Sequence, residues 1–249
     1  MKVFLCIGQS NMAGPSVTKW EEKDDKRLKG VYLLNDKDEW VKATNPINLY
    51  STVKLDYPPG LSPVVTFIEK IKKRYVGQTF GLVSNSRGSS KISEWQKGEK
   101  CFVEAVRRGT IAKLGNELAG IIWLQGEQDV ILKDDYENYY ARFKTFINDI
   151  REALGDKNLP FICGEIWGDL SLCKPEWIKG VKLVNKSIKK VVEDTCNCAL
   201  VSTKKIEHTF FDPVHFSPNG MRKLGRRYAN AFIETFGLQY RKKYQKIAR

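Results

Sequence analysis

The run Val3-Phe4-Leu5-Cys6-Ile7-Gly8-Gln9-Ser10-Asn11-Met12-Ala13-Gly14 carries the first sign of the architecture. Residues 3–7 are apolar without alternation, which reads as a strand buried on both faces, the habit of a parallel sheet. The strand gives way at once to a turn flanked by glycines, which can expose a hydroxyl and free backbone N–H groups. In open α/β sheets ligands bind outside the carboxyl ends of the strands, so Ser10 stands at the edge of the expected crevice. The pattern is not the Gly-x-Ser-x-Gly elbow, and no Gly-Lys-Ser/Thr follows to make a phosphate loop. Taken alone, a serine here reads as well as a turn or cap residue.

Further along, Phe80–Ser84, Gly120–Leu124, Pro160–Ile166 and Ala199–Thr203 are runs of the same kind. Between them lie segments with helical spacing. Residues 63–75 place Val64, Phe67, Ile68, Ile71 and Tyr75 on one stripe, and residues 134–154 do the same with Tyr136, Tyr139, Phe143, Phe146, Ile147 and Ile150. Residues 176–195 and 218–236 read likewise, with Ser217-Pro218 as a helix start. Strands alternating with helices predict right-handed βαβ units with helices on both faces of the sheet. Val31–Leu34 and Glu39–Lys42, joined by Asn35-Asp36-Lys37-Asp38, predict a small hairpin inserted after the first strand. Its acidic turn lacks the Gly and distal Glu of a calcium loop. Residues 43–62 form a long loop of the kind that is often functional.

The chain has 249 residues, enough for one domain with a full core. Lys and Arg number 42 against 29 Asp and Glu, a net of +13. Residues 201–249 hold 11 basic and 3 acidic residues, so the excess is concentrated there. No nucleic-acid motif accompanies it, and no stretch of 18 apolar residues exists, so neither nucleic acid nor membrane is an expected partner. Arg222, Lys223, Arg226 and Arg227, just after His215, are expected to draw in an anionic substrate. Arg241, Lys242, Lys243, Lys246 and Arg249 are expected to lie in a solvated tail, giving a domain over 1–237 and a basic tail over 238–249. Six cysteines include no Cys-x-x-Cys pair, and only two histidines are present, so no metal or other cofactor is expected. Cys6 and Cys163 read as buried hydrophobes. Reduced thiols and a start too short for a signal peptide predict a cytoplasmic protein, with secretion behind a removed signal as the alternative. The sequence carries no signal for oligomeric state.

Three more polar clusters fall at strand ends or loops. Asp212-Pro213-Val214-His215 precedes the last helix, and a carboxylate three residues before an imidazole can hold its tautomer and stabilise the imidazolium. It also reads as a turn Asp and a capping His. His208 has no comparable partner. Gln125-Gly126-Glu127 follows the Gly120–Leu124 run, and Asn85-Ser86-Arg87-Gly88-Ser89-Ser90 follows Phe80–Ser84. An amide side chain and small residues in those places can donate to a developing oxyanion. Trp95 and Trp123 are candidates for stacking on sugar, with core packing the better reading for Trp123.

Together, Gly8-Gln9-Ser10-Asn11-Met12, Trp123-Leu124-Gln125-Gly126-Glu127 and Asp212-Pro213-Val214-His215 resemble the sialate O-acetylesterase-like branch of the SGNH hydrolases, which includes acetylxylan esterases of carbohydrate esterase family 6. The resemblance runs from residue 3 to about residue 233. It implies a flavodoxin-like three-layer α/β/α fold with a parallel sheet of about five strands. It implies a serine esterase that removes O-acetyl groups from carbohydrate such as sialic acid or xylan. The nucleophile falls on Ser10, the rest of the triad on Asp212 and His215, and the oxyanion donors on the Ser10 and Gly88 N–H groups and the Gln125 side chain. Glu127 is expected to position Arg87 or the loop around Gln125. The chain departs from the family at Gly88-Ser89-Ser90, where Gly-Gly-Ser/Thr is usual, which bears on the acyl pocket. A short-chain lipase or thioesterase of the same superfamily, and a non-catalytic carbohydrate-binding relative, are the alternatives.

Overall fold

The computed structural model describes the backbone of residues 1–245 and the side chains of residues 1–237. Seven strands form one sheet: β1 (Lys2–Gly8), β2 (Val31–Leu34), β3 (Trp40–Lys42), β4 (Phe80–Ser84), β5 (Glu117–Leu124), β6 (Phe161–Gly164) and β7 (Cys198–Val201). Their order is β3-β2-β4-β1-β5-β6-β7, and all neighbours pair in parallel except β2 with β3. The five strands expected from the sequence are adjacent, from β4 to β7. The hairpin is no detached insertion: β2 pairs in parallel with β4 and extends the sheet. Three of its four residues are buried, so its first strand had core to join.

Among the described residues, seven α-helices accompany the sheet: α1 (Ser10–Ala13), α2 (Glu22–Arg27), α3 (Val64–Arg74), α4 (Lys100–Ala112), α5 (Lys133–Ala153), α6 (Ile178–Glu193) and α7 (Pro218–Gln245). Successive side chains of a strand point to opposite faces. On β1, Val3, Leu5 and Ile7 join Phe102 of α4, Phe143 and Phe146 of α5 and Val184 and Ile188 of α6 in one core. Phe4 and Cys6 join Phe67 and Ile68 of α3 and Leu224, Tyr228 and Phe232 of α7 in the other. Two cores on two faces explain why the strands show no polar alternation, and they establish the three-layer arrangement.

Helix α4 has no counterpart in the sequence reading. Its buried face includes Arg108 and Gly109, which break an apolar stripe. Arg108 donates to the Leu34 and Asn35 carbonyls, at 2.8 and 3.1 Å, capping the end of β2. Helix α7 runs to Gln245, so the backbone bearing Arg241, Lys242 and Lys243 is helical. The side chains of the 238–249 segment, and Lys246 and Arg249 altogether, lie outside the described residues. Among those described, no helix is long and apolar enough to cross a membrane. The cysteines described are free, with Cys6 and Cys163 buried as expected.

β1 lies between β4 and β5, where the chain's direction of travel across the sheet reverses. Loops leaving the carboxyl ends of these three strands splay apart there and open a crevice.

Candidate active site

The turn after β1 is pressed against β5. Gly8 has φ 142°, and a Cβ on it would lie 2.1 Å from the Leu124 carbonyl oxygen, so only glycine fits. Gln9 N donates to that same oxygen at 2.9 Å. The Gln9 side-chain oxygen accepts from Gly126 N at 3.0 Å, binding the β1 turn to the β5 turn. The chain then enters α1 with Ser10 first and partly exposed.

The loop between β7 and α7 is closed by a bridge between His208 and Phe216. Inside it, Thr209 N donates to the His215 carbonyl and His215 N to the Asp212 carbonyl, at 2.9 and 3.0 Å. This turn puts both side chains on one side. The Asp212 Oδ2 to His215 Nδ1 distance is 2.6 Å, and His215 Nε2 lies 2.8 Å from Ser10 Oγ. Ser10 and His215, 205 residues apart, are thus in hydrogen-bonding contact. The carboxylate at Nδ1 fixes the tautomer in which Nε2 accepts from the serine hydroxyl.

The loop after β4 forms the facing wall. Arg87 N donates to the Gly8 carbonyl at 2.9 Å. Asn48, from the 43–62 loop, accepts from Ser86 N and donates to the Ser86 carbonyl, both at 3.0 Å. Gly88 follows and lines the same cleft as Ser10 and His215. Among the described residues, neither the Ser10 nor the Gly88 N–H has a hydrogen-bond partner. Ser89 has φ 54°, in the left-handed region that favours glycine. That conformation accounts for the glycine usual there. The Ser89 side chain is exposed and forms part of the cleft wall.

Gln125 is not in the place expected for an oxyanion donor. Its side chain is fully buried, and its Nε2 donates to the Ser90 carbonyl at 2.7 Å and to Asp129 Oδ2 at 2.5 Å. Its Oε1 accepts from Tyr139 at 3.0 Å. An amide has two N–H bonds, and both are committed here, so Gln125 braces the β5 turn. Glu127 does not meet Arg87 or Gln125. It accepts from Asn11 Nδ2 at 2.6 Å, while Arg87 pairs with Glu94 at 3.1 Å. Trp95 and Trp123 are both fully buried and pack edge to face, 5.1 Å apart, so neither stacks on sugar. His208 is buried against Phe216. Arg222 is buried and bonded to Asp24 and Glu21, and among the described residues no α7 cation lines the cleft.

Sequence reasoning missed Gln9, Asn11 and Asn48 as site-building residues. A buried amide leaves no periodic trace, and its only signal was proximity to Ser10 or a long loop. The cleft itself has a volume of about 130 Å³. Leu55, Tyr57, Pro58 and Pro59 give it an apolar wall, and among the described residues Lys54 is the lysine or arginine that lines it.

A Ser-His-Asp arrangement at the switch point of a three-layer α/β/α fold is the layout of a serine hydrolase, as expected of the SGNH type. The chain belongs to the family of carbohydrate esterases described as sialic acid-specific acetylesterase, which matches residues 1–234. It is accordingly a carboxylic ester hydrolase of the kind that deacetylates carbohydrate. A probable carbohydrate esterase of Arabidopsis thaliana is 28% identical over 176 residues, covering 65% of this chain and 67% of that protein. The solved structure of an Arabidopsis thaliana protein superposes with a TM-score of 0.83 at 23% identity, covering 94% of this chain and 98% of that one. A carbohydrate acetylesterase from Xanthomonas citri gives 0.66 at 19% identity, covering 94% of this chain and 56% of that one. At these identities the two structures speak for the fold alone.

Proposed function

We propose that the chain releases acetate from O-acetylated sugar through an acetyl-enzyme on Ser10. His215 Nε2 takes the Ser10 proton as Oγ attacks the ester carbonyl, and Asp212 stabilises the imidazolium. The carbonyl oxygen becomes an oxyanion held by the Ser10 and Gly88 N–H groups. His215 then gives its proton to the leaving sugar hydroxyl. Water repeats the two steps on the acyl-enzyme and frees acetate and Ser10. The continuous Asp212–His215–Ser10 contact, beside two amides with no other acceptor, is the observation that carries this reading.

The size of the cleft supports a short acyl group. A cavity of about 150 Å³ holds a benzene molecule, and the 130 Å³ here suits acetyl far better than an eight-carbon chain. Lys54 on its wall favours an anionic sugar such as an O-acetylated sialic acid over a neutral one. The test is acetate release from a panel of acetylated neutral and anionic sugars, beside acetyl and octanoyl esters of 4-nitrophenol. The expected result is turnover of acetyl esters, highest on the anionic sugars, with little on octanoyl. Preference for octanoyl would instead favour the lipase or thioesterase alternative.

A further inference from the structure

Glu127 is a buried carboxyl group for which the triad mechanism has no use. It is 4% exposed, it bonds to Asn11 through Oε1, and its Oε2 has no partner. Burial pushes its carboxyl above the ordinary range. A half-satisfied buried carboxyl costs stability, and neither core packing nor substrate contact accounts for it.

Asn11 explains what Glu127 does. It is fully buried and directly follows Ser10. Its Nδ2 donates to Glu127 Oε1 at 2.6 Å and to the Val214 carbonyl at 3.1 Å. Its Oδ1 accepts from Phe216 N at 3.2 Å. One side chain therefore holds the backbone on both sides of His215, and it does so from the turn that carries Ser10. Turned by 180°, the amide would set its oxygen against two acceptors and its NH2 against the Phe216 N–H. An ionised Glu127 Oε1 can only accept, so together with the Val214 carbonyl it favours the observed orientation.

We propose that Asn11 and Glu127 are positioning residues, a clamp that sets His215 at hydrogen-bonding distance from Ser10, with Glu127 fixing which way the Asn11 amide faces. Neither touches substrate. The inference rests on the reading of Ser10 and His215 as nucleophile and base. Misplacement of a reacting group by about 1 Å can cost about 100-fold in rate, so the clamp acts on the chemical step and leaves substrate binding alone.

The experiment compares Asn11→Ala, Glu127→Ala and Glu127→Gln with the native protein. It uses 4-nitrophenyl acetate kinetics, thermal unfolding, and the imidazole NMR signals, which are simple to assign with two histidines in the chain. Asn11→Ala and Glu127→Ala should lower kcat by about 10- to 100-fold, with KM within about 3-fold. Both should also lose the low-field Nδ1 proton resonance of His215. Glu127→Gln keeps a carbonyl oxygen facing Asn11 and should recover kcat to within about 5-fold of native, with the resonance restored. If Asn11→Ala fails to fold, the Glu127 pair carries the comparison. The proposal is overturned if both alanine variants keep native kcat and resonance, if only KM changes, or if Glu127→Gln is as impaired as Glu127→Ala. A native protein that hydrolyses no ester would refute the reading of Ser10 instead, and the resonance would still report on the clamp.

Discussion

At the scale of single residues, the site depends on positions whose side chains or backbone angles leave few alternatives. Ser89 holds a left-handed conformation that costs a residue with a Cβ about 1–2 kcal/mol. Ser89→Gly should therefore raise stability by about 0.5–1 kcal/mol, after allowing for the greater freedom of glycine in the unfolded chain. Urea denaturation would show it as a higher midpoint with an unchanged slope. Ser10, Asp212 and His215 were legible through the resemblance of three short motifs, taken together, to a known family; each motif alone reads as well as a turn or a cap. Gln125 was misplaced because a motif names a residue and not the partners of its amide. The network that consumes it draws on Asp129 of the same loop and on Ser90 and Tyr139 from two other segments of the chain.

At the scale of elements, the β5 turn is held by that network more than by any contact in the cleft. Gln125→Ala removes the side-chain donor to the Ser90 carbonyl and one of the two donors to buried Asp129, while Tyr139 keeps the main-chain carbonyl of residue 125 and Asp129 keeps Ile92 N; each lost hydrogen bond costs about 0.5–1.5 kcal/mol. The expected outcome is a clear drop in unfolding midpoint, with the folded fraction keeping far more activity than a protein lacking Ser10. Loss of activity matching Ser10→Ala, with native stability, would restore Gln125 to the oxyanion site. The parallel strands were legible because each is a short apolar run. Helix α4 was not, because Arg108 is buried by bonding to the β2 end, a tertiary partner that periodicity does not register. β2 was read as an insertion because its short length and tight turn give no sign of the parallel partner it finds in β4.

At the scale of the whole molecule, burial sets how stability varies with pH. Burial pushes the Asp129 carboxyl up to about 7 from an ordinary 3.8. The folded protein then keeps a proton that the unfolded chain gives up, so the Asp129 contribution is full below about pH 4 and is lost as pH rises through about 7. Unfolding free energy should carry a downward component between those values. Asp129→Asn should remove it, so its stability relative to native should rise with pH across that window. A difference that stays constant with pH would show that Asp129 titrates normally. The charge excess belongs to this scale too. Arg222 is spent on Asp24 and Glu21, and among the described residues it is Lys54 in the loop, and not the α7 cluster, that lines the cleft.

Everything proposed for the cleft turns on Ser10, activated by His215, forming the acyl-enzyme. Hydrolysis of 4-nitrophenyl acetate by native protein and by Ser10→Ala, with circular dichroism as the check on folding, tests it most directly. A folded Ser10→Ala protein should show kcat lower by at least about 1,000-fold, what remains coming from binding and the oxyanion donors. A folded Ser10→Ala protein with activity near native would contradict it.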